Sequence, residues 1–173
     1  MSEVKINKSI NLSEHFTLGE VTKSKHAEIY NIPSHVAIEN LKRVCGWLEE
    51  LRRRYNLRYV CGKEERSVSP PKLGGEKDTE EPIIITSGYR SPELNRKVGG
   101  SPTSNHLTGC AVDIRVAGIE QAMRYAVILM DYADETKQDY DEILIERNRS
   151  GGYWLHFAVR PKDNRRKTMF VQT

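Results

Sequence analysis

Apolar residues recur with helical spacing behind Pro33. Val36, Ile38, Leu41, Val44, Cys45, Leu48, Leu51 and Tyr55 share one face, and Ser34 is a good N-cap, so the pattern predicts a long amphipathic helix. A second helix is expected from about Ile119 to Ala133, with Ala122, Met123, Ala126, Val127 and Met130 on one face. Between them, Pro82 to Thr86 (PIIIT) reads as a short β-branched strand buried on both faces, followed by the turn-like Ser87-Gly88-Tyr89-Arg90, which puts Arg90 just past a central strand. In Ala111 to Val116 the side chains alternate, Val112, Ile114 and Val116 against Ala111, Asp113 and Arg115. In Tyr153 to Arg160 the odd positions are apolar, and His156 shares the other face with Trp154.

Residues 141–160 read as a β-hairpin, EILIE, then RNRSGG, then the His156 strand. A register that pairs residue 146 near 154 projects Leu144, Glu146, Trp154 and His156 from one face, with Glu146 diagonal to His156 at roughly 7 Å between Cα atoms. A one-residue slip would turn Glu146 away. Residues 1–33 hold no long periodic stretch, and Phe16, Leu18 and Val21 are expected to pin that arm to the body. Residues 62–80 mix Gly, Pro, Ser and charge without periodicity and read as a flexible surface loop.

Composition narrows the class. A chain of 173 residues suits one domain, here 1–173 with a short basic C-terminal tail, and 38% hydrophobic against 29% charged residues reads as soluble and globular. No apolar run has the length to span a bilayer. The opening MSEVKINKSI lacks the apolar core of a signal peptide, so the expectation is a cytoplasmic protein as synthesised. The net charge of +3 is mild, and neither Arg52-Arg53-Arg54 nor the Asn164 to Lys167 tail interleaves aromatics as a nucleic-acid platform would. Cys45, Cys61 and Cys110 are odd in number and far apart, giving no disulfide framework and no metal knuckle, so they read as free thiols.

The candidate chemistry lies in SNHLTGCAVDI and GYWLHFAV. His106, Asp113 and His156 offer two imidazoles and a carboxylate, a three-ligand set that suits zinc with one position left open for chemistry. Any one of them alone would read as a surface or capping residue; together they read as a metal set. His15, His26 and His35 lie outside it and are treated as structural.

The run IIITSGYRSPELNRKVGG, then SPTSNHLTGCAVDI, YDEILIE and YWLHF, resembles the zinc D-alanyl-D-alanine carboxypeptidases, in the subfamily of bacterial and phage cell-wall peptidases. HFTLGEVTKS and IPSHVAIENLKRV are similar to that subfamily's lead-in, so the resemblance spans most of residues 12–160. The family pattern Ser-x-His-x-x-Gly-x-Ala-x-Asp is matched by Ser104, His106, Gly109, Ala111 and Asp113, and its Trp-x-His by Trp154 and His156. The resemblance implies an α+β Hedgehog/DD-peptidase-like fold, a central antiparallel sheet flanked by helices, with Zn2+ on His106, Asp113 and His156. It implies hydrolysis of amide bonds next to D-amino acids in peptidoglycan stem peptides, as a D,D-carboxypeptidase or an endolysin-type endopeptidase. A carboxylate beside the metal must accept a proton, with Glu146 the first candidate and Glu142 the second. Some relatives carry that acid three residues before the last histidine, where this chain has Tyr153. Arg90 resembles the family arginine that faces the substrate, and Ser104 and Trp154 are expected to contact substrate. The lack of a signal peptide suggests a monomeric lysis enzyme released by a helper. The alternative is a non-catalytic, zinc-containing wall-binding module of the same fold.

Overall fold

Alternation of apolar and polar positions gives the inner strands one apolar face toward the helices, and the sheet is built on that division. The computed structural model describes residues 7–60 and 80–173; of the 62–80 loop all but the last residue, and Cys61, lie outside the described residues. Among the described residues the sheet runs β1-β2-β4-β3-β5, with β1 Ile85–Ser87, β2 Ala111–Arg115, β3 Glu142–Arg147, β4 Tyr153–Ala158 and β5 Lys167–Gln172. The fold is α+β. Val112 and Ile114 of β2, Ile143 and Ile145 of β3, and Leu155 and Phe157 of β4 all join the core. Two helices cover that face, α2 (His35–Tyr55) and α4 (Ile119–Thr136). Trp47 of α2 stacks at 5.4 Å on Phe157 of the sheet's middle strand. Removing a side chain as buried as Phe157 would cost about 3–5 kcal/mol.

Helix α2 begins where expected, with the Ser34 side chain accepting from the Ala37 amide. Its buried stripe is Ala37, Leu41, Val44, Cys45, Leu48, Leu51 and Tyr55, joined by Trp47, while Val36 is 70% exposed. On α4 the buried face is Ala122, Tyr125, Ala126, Ile128, Leu129 and Ala133, and Met123 and Val127 point outward. The expected face was rotated because Met and Val outweighed the flat, aromatic Tyr125 in an apolar count.

Two features of the sheet correct the sequence reading. The PIIIT run does not form a central strand: β1 is an edge strand of three residues, with Ile83 and Ile85 buried and Ile84 exposed. Three consecutive isoleucines hide an ordinary alternation. The sheet is also mixed rather than antiparallel, because the expected basic tail becomes β5 and pairs parallel to β3. Met169 and Phe170 of that strand stay exposed, so no burial pattern marks it. Backbone bonds hold it, including Lys167 N–H to Asp141 O at 3.0 Å and Thr173 N–H to Arg147 O at 3.0 Å.

The arm ahead of α2 docks through Phe16, Leu18 and Val21, all buried. It carries one helical turn, α1 (Leu18–Val21), closed by a capping box between Thr17 and Glu20. The Val21 carbonyl accepts from the Tyr89 amide at 2.7 Å. That contact requires glycine next door, since a Cβ on Gly88 would stand 2.2 Å from the same oxygen.

Candidate metal centre

The face of the sheet turned away from the helices carries the polar positions. Asp113 on β2 and His156 on β4 are direct cross-strand partners, and His156 is flanked on its other side by Leu144 of β3. His106 comes from a 3-10 turn, Asn105–Thr108, between the helix α3 (Pro92–Lys97) and β2. Ser104 caps that turn by accepting from the His106 amide at 3.3 Å. Gly109 ends it at φ +72, a left-handed conformation that favours glycine, and a Cβ there would stand 2.5 Å from the Ala37 carbonyl of α2. Helix α2 also donates from Asn40 to the Thr108 carbonyl at 2.9 Å, so the turn is clamped against a rigid element.

The donor atoms of His106, Asp113 and His156 all lie within 4.8 Å of one another, and all three residues are buried. Asp113 Oδ1 lies 3.3 Å from His106 Nε2 and 2.9 Å from His156 Nδ1. Ligands about 2.0–2.1 Å from a tetrahedral zinc stand roughly 3.3 Å apart, so the set fits such an ion. The remaining ring nitrogens are engaged. His106 Nδ1–H donates to the Gly88 carbonyl at 2.6 Å, and His156 Nε2 lies 3.5 Å from Glu142 Oε2. These outer contacts fix which nitrogen of each ring faces Asp113.

Burial pushes the Asp113 carboxyl up, but the two imidazoles outweigh it and hold the group well below the usual carboxylate range. Burial pushes His156 down, yet its hydrogen bonds with Asp113 and Glu142 dominate and raise it to about 9.

Arg90 does not stand clear of this set. Its Nη2 donates to Asp113 Oδ2 at 2.6 Å and its Nε to Ser87 Oγ at 2.9 Å. Nη1 makes no hydrogen bond among the described residues. A cavity of about 460 Å3 opens beside His156, and Glu142, Leu144, Glu146, Arg165 and Lys167 help line it. Ser104 reaches it too; Trp154, though a cross-strand partner of Glu146, does not.

The two carboxylates differ. Glu142 accepts from Asn105 at 3.0 Å, pairs with Arg165 at 3.0 Å and receives Lys167 at 3.5 Å. The His156 hydrogen bond outweighs burial and, with Arg165, holds the Glu142 carboxyl at about 2. Glu146 makes no hydrogen bond among the described residues, and burial raises its carboxyl above the ordinary value. Its register opposite Trp154 is the one that turns it toward the cavity.

A family model described as Peptidase M15 matches residues 72–138. Over that stretch the chain is similar to Peptidase M15. The matched residues include Arg90, His106 and Asp113 and stop short of His156. No curated protein matches the chain. The similarity supports a metallopeptidase acting on a peptide substrate, and a metal of the zinc type is what such peptidases use. No helix of the described residues is long and apolar enough to cross a membrane.

A polar network beside the trio went unread in the sequence. Asp141, fully buried, accepts from Asn105 at 2.7 Å and from Arg165 at 2.7 and 2.8 Å, and lies 3.1 Å from Arg160. Neighbouring motif residues, Asn105 beside His106 and Asp141 at the head of EILIE, were the available signal. No periodicity separates them from ordinary loop polar residues.

Proposed function

We propose that this protein is a zinc-dependent peptidase that hydrolyses amide bonds next to D-amino acids in peptidoglycan stem peptides. The observation that carries the reading is the buried His106, Asp113 and His156 set, whose His156 lines a cavity with an uncommitted carboxylate, Glu146, on its wall. The family similarity favours the same chemistry, and we take the chain to be one domain of DD-peptidase-like fold working as a monomer.

His106 through Nε2, Asp113 through Oδ1 and His156 through Nδ1 would hold the ion. Zinc bound by three ligands supplies Lewis acidity toward the scissile carbonyl and an acidified water as nucleophile. Glu146 stands on the cavity wall where its carboxylate would take a proton from an attacking water, and the raised pKa that burial gives it makes it a better base than an exposed glutamate. It then delivers the proton to the departing amine, so the amide breaks with no covalent enzyme intermediate. Glu142 serves instead as an orienting group, spending its oxygens on His156, Asn105 and Arg165. Arg90 holds the second oxygen of Asp113 and turns Nη1 to the substrate carbonyl or carboxylate as charge develops. Ser104 acts through the His106 turn and the cavity rim.

Digestion of purified peptidoglycan with the zinc-loaded protein, with products identified by mass, tests this reading. Release of D-alanine alone marks a carboxypeptidase and larger fragments an endopeptidase; wall that is bound but uncut leaves only a binding module.

A further inference from the structure

The cavity beside His156 does not end at the trio. A second cavity of about 380 Å3 shares Thr103, Ser104, Asn105 and Arg160 with it and extends to Pro161 and Lys162, so the two adjoin, with Arg160 lining both. Arg160 is fixed at both ends. Its amide donates to Asn164 Oδ1 at 2.8 Å, and its carbonyl accepts from Asn164 Nδ2 at 3.0 Å, closing the turn that walls the second cavity. Its Nε donates to Asn105 Oδ1 at 3.0 Å and lies 3.1 Å from Asp141 Oδ2. Neither terminal nitrogen makes a hydrogen bond among the described residues, and the side chain keeps 32% exposure.

An arginine anchored by Nε presents the rest of its planar fork to these cavities. That fork matches a carboxylate in two parallel hydrogen bonds, and its immobilisation is already met by the fold, so little ordering cost remains for binding. On the same wall Lys162 offsets the charge of Asp163. Arg165 differs, because its guanidinium is spent on Asp141 and Glu142.

We propose that Arg160 forms a carboxylate-binding subsite, so that the preferred substrate is an acidic peptide lying across the metal trio with a carboxylate entering the second cavity. This rests on the peptidase reading above. The carboxylate can be the peptide's own C-terminus or the free carboxyl of an acidic residue within it.

Three synthetic stem-type peptides separate these sources: both carboxyls free, only the C-terminus amidated, and only the acidic residue amidated. With the zinc-loaded full chain, one amidation should lower kcat/KM at least about tenfold, mainly through KM, and the amide responsible names the source. Arg160→Gln should bring the ratio toward one, and Arg160→Lys, which keeps charge without the fork, should restore only part of it. Equal kcat/KM on all three peptides overturns the subsite while leaving the peptidase reading intact. If none is cleaved, that reading falls, and calorimetric binding of the same peptides decides the subsite alone. A preference for the carboxylate of about tenfold or more, lost in Arg160→Gln, sustains it; equal affinities or no binding overturn it. The comparison of peptides on the unmodified chain needs no variant to fold.

Discussion

Asp113 and His156 face each other across β2 and β4, and one oxygen of Asp113 serves both histidines while the other takes Arg90. Asp113→Ala should therefore do two things at once. Zinc per chain falls toward zero, and the half-buried guanidinium of Arg90 loses its partner, at a stability cost on the order of 3 kcal/mol. His156→Ala should lose the zinc without stranding Arg90. Elemental analysis and urea unfolding of the metal-free proteins separate the effects; full zinc retention in Asp113→Ala would sink the ligand assignment.

Glu146 and Glu142 sit on one face of β3, yet their variants should fail differently. Glu146→Gln is expected to keep zinc and lose about 10²–10⁴-fold in kcat, the range for a general base. Glu142→Gln removes a carboxylate from behind His156 and should weaken zinc binding about 10–100-fold. Competition with a chromophoric chelator measures the second effect without any substrate. The roles are reversed if Glu142→Gln kills turnover at unchanged zinc affinity.

Gly88→Ala should behave as a site variant although Gly88 carries no side chain. The new Cβ drives the turn away from Val21, and with it the carbonyl that holds His106 Nδ1. A loss of about 1–3 kcal/mol in stability is expected, as for overpacking elsewhere, together with weaker zinc binding. Melting curves with and without zinc report both, and unchanged curves would remove the turn from the account.

Far from the site, Glu50 on α2 takes a two-point hydrogen bond from Arg53, at 2.7 and 2.9 Å, and a further one from Arg54. Arg53 outweighs burial and, with Arg54, lowers the Glu50 carboxyl to about 2. Because the folded state binds this proton less readily than the unfolded chain, the contribution is whole above about pH 4.5 and fades as pH falls toward 2. Glu50→Gln should thus cost on the order of 1 kcal/mol at pH 7 and progressively less below pH 4.5, as read from urea midpoints. A gap that widens on acidification contradicts the sign.

What the residues disclosed in advance follows their physics. Helix α2 was legible because its stripe recurs over 21 residues behind a serine cap, and the β3–β4 register because slipping it would have turned Ile143 and Ile145 outward. The β1 edge and the β5 strand were not, the first because three isoleucines mask an alternation, the second because it buries almost nothing. Within the site, the three candidate ligands stood out by residue type and spacing. Asn105, Asp141 and Arg160 did not, since a polar network declares itself only when distant segments meet.

The bond from Tyr89 to the Val21 carbonyl joins a segment of the N-terminal arm to the turn whose glycine carbonyl orients His106. The described positions of that arm donate no hydrogen bond to the trio, yet they share its tolerances. In a saturation scan for lost zinc binding, sensitive positions should therefore cluster at Leu18 and Val21 as well as around the histidines. The arm would pass for part of the active site to anyone mapping phenotype alone.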